Sequence, residues 1–155
     1  MNYEELINEQ FNACVVGIDE EMLSNKESWY DYVISLPTHL RIVYTIVILH
    51  QQVFNGGFHQ YFFNSYGMFG YLTLDSLKTI NASFTLKLLK KVLDRVNDGG
   101  WDIETFKDKA FNRKIDKIVN FDNELGNYLD KCDDVYYDAE EDLLLLLGNY
   151  LKSIK

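Results

Sequence analysis

The sequence predicts an all-α fold, a single-domain compact bundle of about eight or nine helices around a buried central helix over about residues 38–54. The strongest observation is the segment 42–49, IVYTIVIL, which is apolar apart from one threonine and typical of a helix buried on most of its circumference. The chain holds one proline and nine glycines, so few residues oppose long helices. With 155 residues, 47% of them apolar, we expect one domain over 1–155 with a sizeable core.

Three elements are predicted before the central helix. Apolar residues recur at helical spacing over residues 3–16, which predicts an amphipathic first helix. The acidic run 19–21 favours the start of a short second helix, because carboxylates stabilise a helix N-terminus. Residues 27–35, ESWYDYVIS, supply aromatic side chains that can pack on the central helix. Pro37 suits the first turn of that helix, with Thr38 as the alternative cap.

The central helix is expected to end at Asn55-Gly56-Gly57. Val53 and Phe54 extend its buried apolar surface up to that point. Asn and Gly tolerate the left-handed backbone conformation that ends helices, and Asn can also cap the helix that follows. The two glycines further allow close backbone packing.

A second buried helix is predicted directly after the glycines. Phe58, Tyr61 and Phe62 fall on one face of it, whereas Gln60 and Asn64 fall together on another. This helix therefore has an aromatic face to bury and an amide pair to satisfy with hydrogen bonds.

The second half of the chain continues as helices. Their predicted spans are 68–80, 82–97, 103–119 and 121–131, followed by a last helix within YYDAEEDLLLLLGNYLKS, residues 136–153. A break is expected near Asp133. The five consecutive leucines 143–147 cover nearly the whole circumference of the last helix, so one side should meet the core and the other could form a homodimer contact.

The charge is distributed unevenly along the chain. The formal net charge is −9, and the acids concentrate at both ends: residues 1–36 carry eight acids and one base, and residues 118–155 carry nine acids and three bases. Repulsion from phosphates disfavours direct nucleic-acid binding, whereas a basic protein partner is favoured. No run is long enough to cross a membrane and no leader pattern begins the chain, so a soluble, cytoplasmic protein is expected.

No catalytic, metal or cofactor motif is recognisable. The two cysteines, Cys14 and Cys132, lack metal or redox spacing and are interpreted as reduced thiols. The histidines lack carboxylates at the spacing of a metal site, so we expect no metal and no cofactor. A remote alternative is an enzyme whose pocket lies near His59, Gln60 and Asn64.

The segment from Val53 to Asn64 carries the pattern V-x-N-G-G-F-x-Q-x-F-F-N. It resembles the signature of a bacterial domain of unknown function, the DNA-mimic-protein-like family, typified by an acidic DNA mimic that binds a transcriptional regulator. The looser likeness runs from about residue 28 to 152 and implies an all-α fold. The signature residues, to which we assign a structural role, are Asn55, Gly56, Gly57, Phe58, Gln60, Phe62 and Asn64.

Acidic residues near the C-terminus form the one cluster of side chains in the sequence that suggests a binding site. Asp130, Asp134, Asp138 and Asp142 recur every four residues, and on a continuous helix they would form one row. The candidate partner-binding acids are Asp130, Asp133, Asp134, Asp138, Glu141 and Asp142, with Glu27 and Asp31 as a second group.

These acids, together with the resemblance, favour an acidic protein-binding module that imitates a phosphate array and regulates or sequesters a basic or DNA-binding protein. The alternative is an immunity-like or regulatory adaptor that neutralises a basic effector.

Overall fold

Helices make up all the regular secondary structure of the computed structural model, which describes residues 1–154. The helices are α1 (Tyr3–Val15), α2 (Glu20–Leu23), α3 (Lys26–Ser35), α4 (Thr38–Phe63), α5 (Gly70–Thr79), α6 (Ser83–Val96), α7 (Ile103–Phe111), α8 (Asp116–Val119), α9 (Asn123–Tyr137) and α10 (Leu143–Ser153). One 3-10 turn, Tyr66–Phe69, leads into α5. The predicted all-α fold is confirmed.

Helix α4 lies at the centre of the bundle. Every residue from 42 to 49 is buried, and α4 packs against α1, α3, α5, α8, α9 and the 3-10 turn. Each buried Leu, Ile or Val side chain stabilises the fold by about 1.5–3 kcal/mol. The helix is therefore the main source of the apolar core, as its sequence predicts.

Two helical segments of α4 meet in a bend at the double glycine. Helical geometry is interrupted at Gly56 (φ −157°, ψ 18°) and Gly57 (φ 79°, ψ 179°), after which the helix resumes and ends at Phe63. The predicted end of the first helical segment at Asn55-Gly56-Gly57 is confirmed, since helical geometry is lost at the two glycines; Asn55 itself stays helical, and of the three residues only Gly57 has a positive φ. That combination of φ and ψ is accessible essentially only to glycine.

A carboxylate from α9 occupies the bend. The Asp133 Oδ1 atom accepts a hydrogen bond from the Phe58 backbone amide at 2.8 Å, and so caps the second half of α4. The same carboxylate lies where a Cβ atom on Gly57 would have to be. Gly57 is thus required both for its backbone conformation and for the space that Asp133 fills.

Two predicted helices in the second half of the chain are divided or shortened. The span 103–119 breaks into α7 and α8, with Arg113 in the left-handed region between them (φ 55°). The span 68–80 begins with the 3-10 turn and becomes α-helical only at Gly70. In both places, tertiary packing overrides the continuous helix that the periodic spacing of apolar residues predicts.

The break expected near Asp133 is also displaced. Helix α9 runs through Asp133 to Tyr137, and the chain leaves helical geometry only over residues 138–142. Cys132 and Tyr136 are both buried and lie four residues apart, so they continue the apolar side of α9 beyond the predicted end.

The C-terminal helix packs against the first one. Gly148 of α10 lies directly against the Tyr3 side chain of α1, which brings the two helices close together. Leu143, Leu147 and Leu151 are buried, and among the five consecutive leucines Leu145 is the most exposed, at 40%. The homodimer contact through this helix stays a prediction.

The search of residues 1–154 for a membrane-spanning segment found no helix with sufficient length and apolar character.

Replacement of Gly57 by alanine should reduce the free energy of unfolding by about 3 kcal/mol, since a strained backbone conformation and the displaced Asp133 cap both contribute. Chemical denaturation followed by circular dichroism would measure the loss. Gly126→Ala is the matched control, because that glycine lies inside α9 with open space around its Cα, and alanine there should stabilise by about 0.5–1 kcal/mol. Equal effects of the two substitutions would contradict this account of the bend.

Candidate functional site

An exposed row of carboxylates runs along α9. Asp130 and Asp134 lie four residues apart on one side of the helix, and Asp138 follows as its C-terminal cap residue. All three are exposed, and the ion pairs formed within residues 1–154 use other acids. The last turn of α9 holds no basic residue, so Asp134 and Asp138 add to the negative end of the helix dipole. The row therefore exposes three carboxylates that form no ion pair within residues 1–154.

Asp133, a neighbour of this row in sequence, faces inward. It is half-buried and accepts the Phe58 amide, as described for the bend of α4. Burial, together with the nearby carboxylates of Asp130 and Asp134, raises its pKa from 3.8 to about 6, although the Phe58 hydrogen bond opposes the rise. Its carboxylate is committed to the core side of α9, not to the exposed row.

Glu141 caps a different helix. Its carboxylate accepts hydrogen bonds from the backbone amides of Phe84 and Thr85, both at 3.0 Å, and from the Thr85 hydroxyl at 2.7 Å. Ala82, the N-cap residue of α6, has no side-chain oxygen to perform this role. The negative charge also lies at the positive end of the α6 dipole. Glu141 thus joins the loop 138–142 to α6.

The remaining predicted acids have separate surroundings. Asp142 is the N-cap of α10 and accepts the Leu145 amide at 3.0 Å. Glu27 pairs with Lys26 at 3.3 Å, and Asp31 is exposed on the same helix, α3. Helix α3 packs on α2 and α4, whereas α9 packs on α4, α6 and α8, so the two acidic groups have different structural supports. The partner-binding role of all these acids stays a prediction.

A half-open pocket of about 440 Å³ lies beside the acidic row, where the ends of several helices meet. Its lining residues are Tyr3, Glu4, His50, Phe54, Thr85, Tyr136, Tyr137, Ala139, Glu140, Glu141, Asp142, Leu143 and Leu144. No sequence pattern predicted this pocket, and Phe54, which was predicted to be buried in the core, is 56% exposed. Only the i, i+4 spacing of His50 and Phe54 could have signalled a shared aromatic face.

Hydrogen bonds hold the aromatic floor of the pocket. His50 Nδ1 is hydrogen-bonded to the Tyr136 hydroxyl at 2.7 Å, and the Tyr137 hydroxyl donates to the Val53 carbonyl at 2.6 Å. Burial lowers the pKa of His50, although the carboxylate of Asp142 opposes this shift, so the ring is neutral at pH 7. The ring centroids of His50 and Phe54 are 4.5 Å apart.

The signature residues lie at the bend, away from the acidic row. The Gln60 and Asn64 amides both donate to Gln52 Oε1, at 3.0 and 3.1 Å, and Asn55 donates to Gln60 Oε1 at 3.3 Å. Phe58 and Phe62 are buried. These amides connect the two halves of α4 across the glycines.

His59, the third member of the alternative enzyme site, donates to the Ile118 carbonyl oxygen at 2.8 Å and stacks on Phe121. Among residues 1–154 no group of three or more His, Cys, Asp or Glu side chains is placed to hold a metal ion.

Comparison with known proteins gives one match. The family model described as DMP19-like protein matches residues 34–154. The comparisons with curated proteins and with solved structures found no match. The matched region begins just before α4 and includes the bend, the acidic row and α10.

Glu141→Ala should lower the free energy of unfolding by about 1–2 kcal/mol, because the first amides of α6 lose their carboxylate cap. The neighbouring Glu140→Ala removes the same charge from an exposed position and should change stability by less than about 0.5 kcal/mol. Urea denaturation of both variants measures the difference. Similar losses in the two proteins would show that the charge, not the cap, matters.

Asp133 should make stability decline as the pH rises from about 4 to about 6. In this interval the folded protein retains a proton on Asp133, whose pKa is about 6, while the unfolded chain has already lost it near 3.8. Asp133→Asn keeps an acceptor oxygen for Phe58 but cannot ionise. The stability of this variant relative to the unmodified protein should therefore increase from pH 4 to pH 6 and then level off, as measured by denaturation at several pH values. A difference that is constant with pH would contradict the assignment.

Proposed function

Because the chain belongs to the DMP19-like protein family, we propose that it acts by binding a basic or DNA-binding protein through the exposed acidic row of α9. Asp130, Asp134 and Asp138 carry the proposal. They stand one helical turn apart and form no ion pairs within residues 1–154, and Asp134 and Asp138 lie at the negative end of their helix. Such charges steer a positively charged partner toward the surface.

The same spacing supports DNA mimicry as the mode of binding. Carboxylates at i and i+4 are about 5–6 Å apart at their Cβ atoms. DNA phosphates rise about 3.4 Å per residue along one strand and are also displaced around the axis, so a row of carboxylates can approximate their spacing. A DNA-binding protein would accept this row in place of a phosphate backbone, and DNA would compete with it.

The fold supplies the rigidity that such a surface requires. Beneath the row, Leu125, Leu129 and Cys132 are buried on the inner side of α9. Asp133 additionally ties α9 to the bend of α4. The exposed carboxylates are therefore presented from a fixed helix, which reduces the entropy lost on binding.

Affinity capture with the immobilised protein, from an extract of its source cell, tests the proposal. We expect a basic or DNA-binding protein to be retained at low salt, to elute as the salt rises, and to be displaced by duplex DNA. The triple variant Asp130→Asn, Asp134→Asn, Asp138→Asn should lose most of this retention.

The matched control is the triple variant Glu9→Gln, Glu20→Gln, Glu21→Gln, which removes equal charge from exposed residues of α1 and α2 and should retain the partner. Equal retention by the unmodified protein and the α9 variant would reject the proposed surface. Retention that duplex DNA cannot displace would reject mimicry and favour the adaptor that neutralises a basic effector.

A further inference from the structure

The half-open pocket beside the acidic row has an aromatic floor that is accessible to solvent. Phe54 is 56% exposed and Tyr137 is 42% exposed, and their ring centroids are 5.2 Å apart. The Tyr136 ring packs against Phe54, with 5.7 Å between the ring centroids, and forms the buried side of the floor. Isolated exposed aromatic residues are common on proteins, but here two adjacent rings border one concavity.

The aromatic floor is held in place before any ligand arrives. The Tyr137 hydroxyl donates to Val53 and the Tyr136 hydroxyl is hydrogen-bonded to His50, so the two tyrosines are fixed at both ends of their side chains. The Phe54 ring packs at a tilt of 48° against the His50 ring, which itself lies on the central helix α4. A preformed site of this kind loses little conformational entropy on binding.

The rim of the pocket is acidic. Glu4, Glu140, Glu141 and Asp142 line it, and among the described residues no lysine or arginine does. Glu141 uses its carboxylate to cap α6, whereas Glu4 and Glu140 are exposed. The carboxylate of Asp142 is close enough to be the main cause of a raised pKa at Tyr3. The pocket therefore combines negative charge with the electron-rich faces of aromatic rings.

Elsewhere in the molecule, the protein covers aromatic rings with its own cations. Arg95 lies 4.4 Å from the Tyr128 ring centroid and Lys107 lies 3.6 Å from that of Tyr30. Trp101 and Phe63 are covered in the same way by Lys109 and Arg113. Within residues 1–154, no such cation covers Phe54 or Tyr137. These two rings are open positions for a cation from another molecule.

We propose that this pocket binds an arginine side chain of a basic protein partner, with the guanidinium stacked on Phe54 and Tyr137 and its N–H groups directed to the rim carboxylates. The inference rests on the proposed function, and it adds the chemistry that anchors the partner. Arginine fits because its planar, weakly hydrated guanidinium can stack and donate several hydrogen bonds at once, whereas the lysine ammonium is compact and strongly hydrated. An apolar side chain would desolvate the carboxylates without compensation.

Titration with a blocked Gly-Arg-Gly peptide, followed by NMR of the aromatic resonances, tests the pocket without any partner. We expect saturable shifts at Phe54 and Tyr137. The isosteric citrulline peptide should produce none, because it lacks the positive charge. The lysine peptide should bind at least several-fold more weakly. Equal binding of the arginine and citrulline peptides, or of the arginine and lysine peptides, would overturn the proposal.

Phe54→Leu is the informative variant, since it retains an apolar side chain at an exposed position but removes the aromatic face. It should raise the dissociation constant of the arginine peptide by about tenfold, which is the size of effect expected when one cation–π interaction is lost. Phe121→Leu is the matched control: this ring is 64% exposed, stacks on His59 and lies outside the pocket lining, so its loss should leave peptide binding unchanged. Unchanged binding by Phe54→Leu would also overturn the proposal.

The peptide titration tests the pocket and the affinity capture tests the proposed function, so a negative result in one can be told from a negative result in the other. Arginine-specific peptide binding, in a protein that captures no basic partner, would support the pocket and reject the proposed function. Capture that persists in Phe54→Leu, with no peptide binding to the unmodified protein, would reject the pocket and leave the acidic row as the binding surface.

Discussion

The hydrogen bond from the Phe58 amide to the Asp133 carboxylate is the contact on which the arrangement of the bundle depends. A helix that bends inside a core exposes backbone amides that must find acceptors. At Gly57 the acceptor comes from a residue 75 positions later in the chain, so the bend of α4 and the position of α9 are determined together. Asp134 points into solvent while Asp133 points inward, because consecutive residues on a helix project in different directions.

The acids of the C-terminal region divide into two groups with different physical roles. Asp133, Glu141 and Asp142 accept backbone amides at the starts of helical segments, although burial of Asp133 raises its pKa and so opposes its ionised form. Asp134 and Asp138 lie at the C-terminal end of α9, where the dipole opposes them, and Asp130 lies one turn before them. Glu141 and Asp142 cap helices, whereas the second group exposes carboxylates that form no ion pair within residues 1–154. Unfavourable local electrostatics on a rigid helix are consistent with a surface retained for binding.

The pocket is bordered by two acids of the first group. Its rim includes the caps Glu141 and Asp142, and its floor is formed by His50 and Phe54 of the central helix together with the end of α9. The same contacts that fix α9 against α4 therefore shape the concavity and hold its aromatic residues. A charged row and an aromatic pocket on one surface offer a partner both long-range attraction and a local anchor, which contribute to association rate and to affinity respectively.

The sequence by itself determined the helical class, the central buried helix and the importance of the double glycine. These features follow from local periodicity and backbone chemistry: eight consecutive buried residues in α4, and a conformation at Gly57 that other residues rarely adopt. It also located the acidic row, because residues four apart share one side of a helix. Only the tertiary structure decided which acids remain in solvent, where α9 ends, and that Phe54 forms part of the floor of a pocket. Those outcomes depend on partners 56 to 75 residues away along the chain, and periodicity carries no information about such distant contacts.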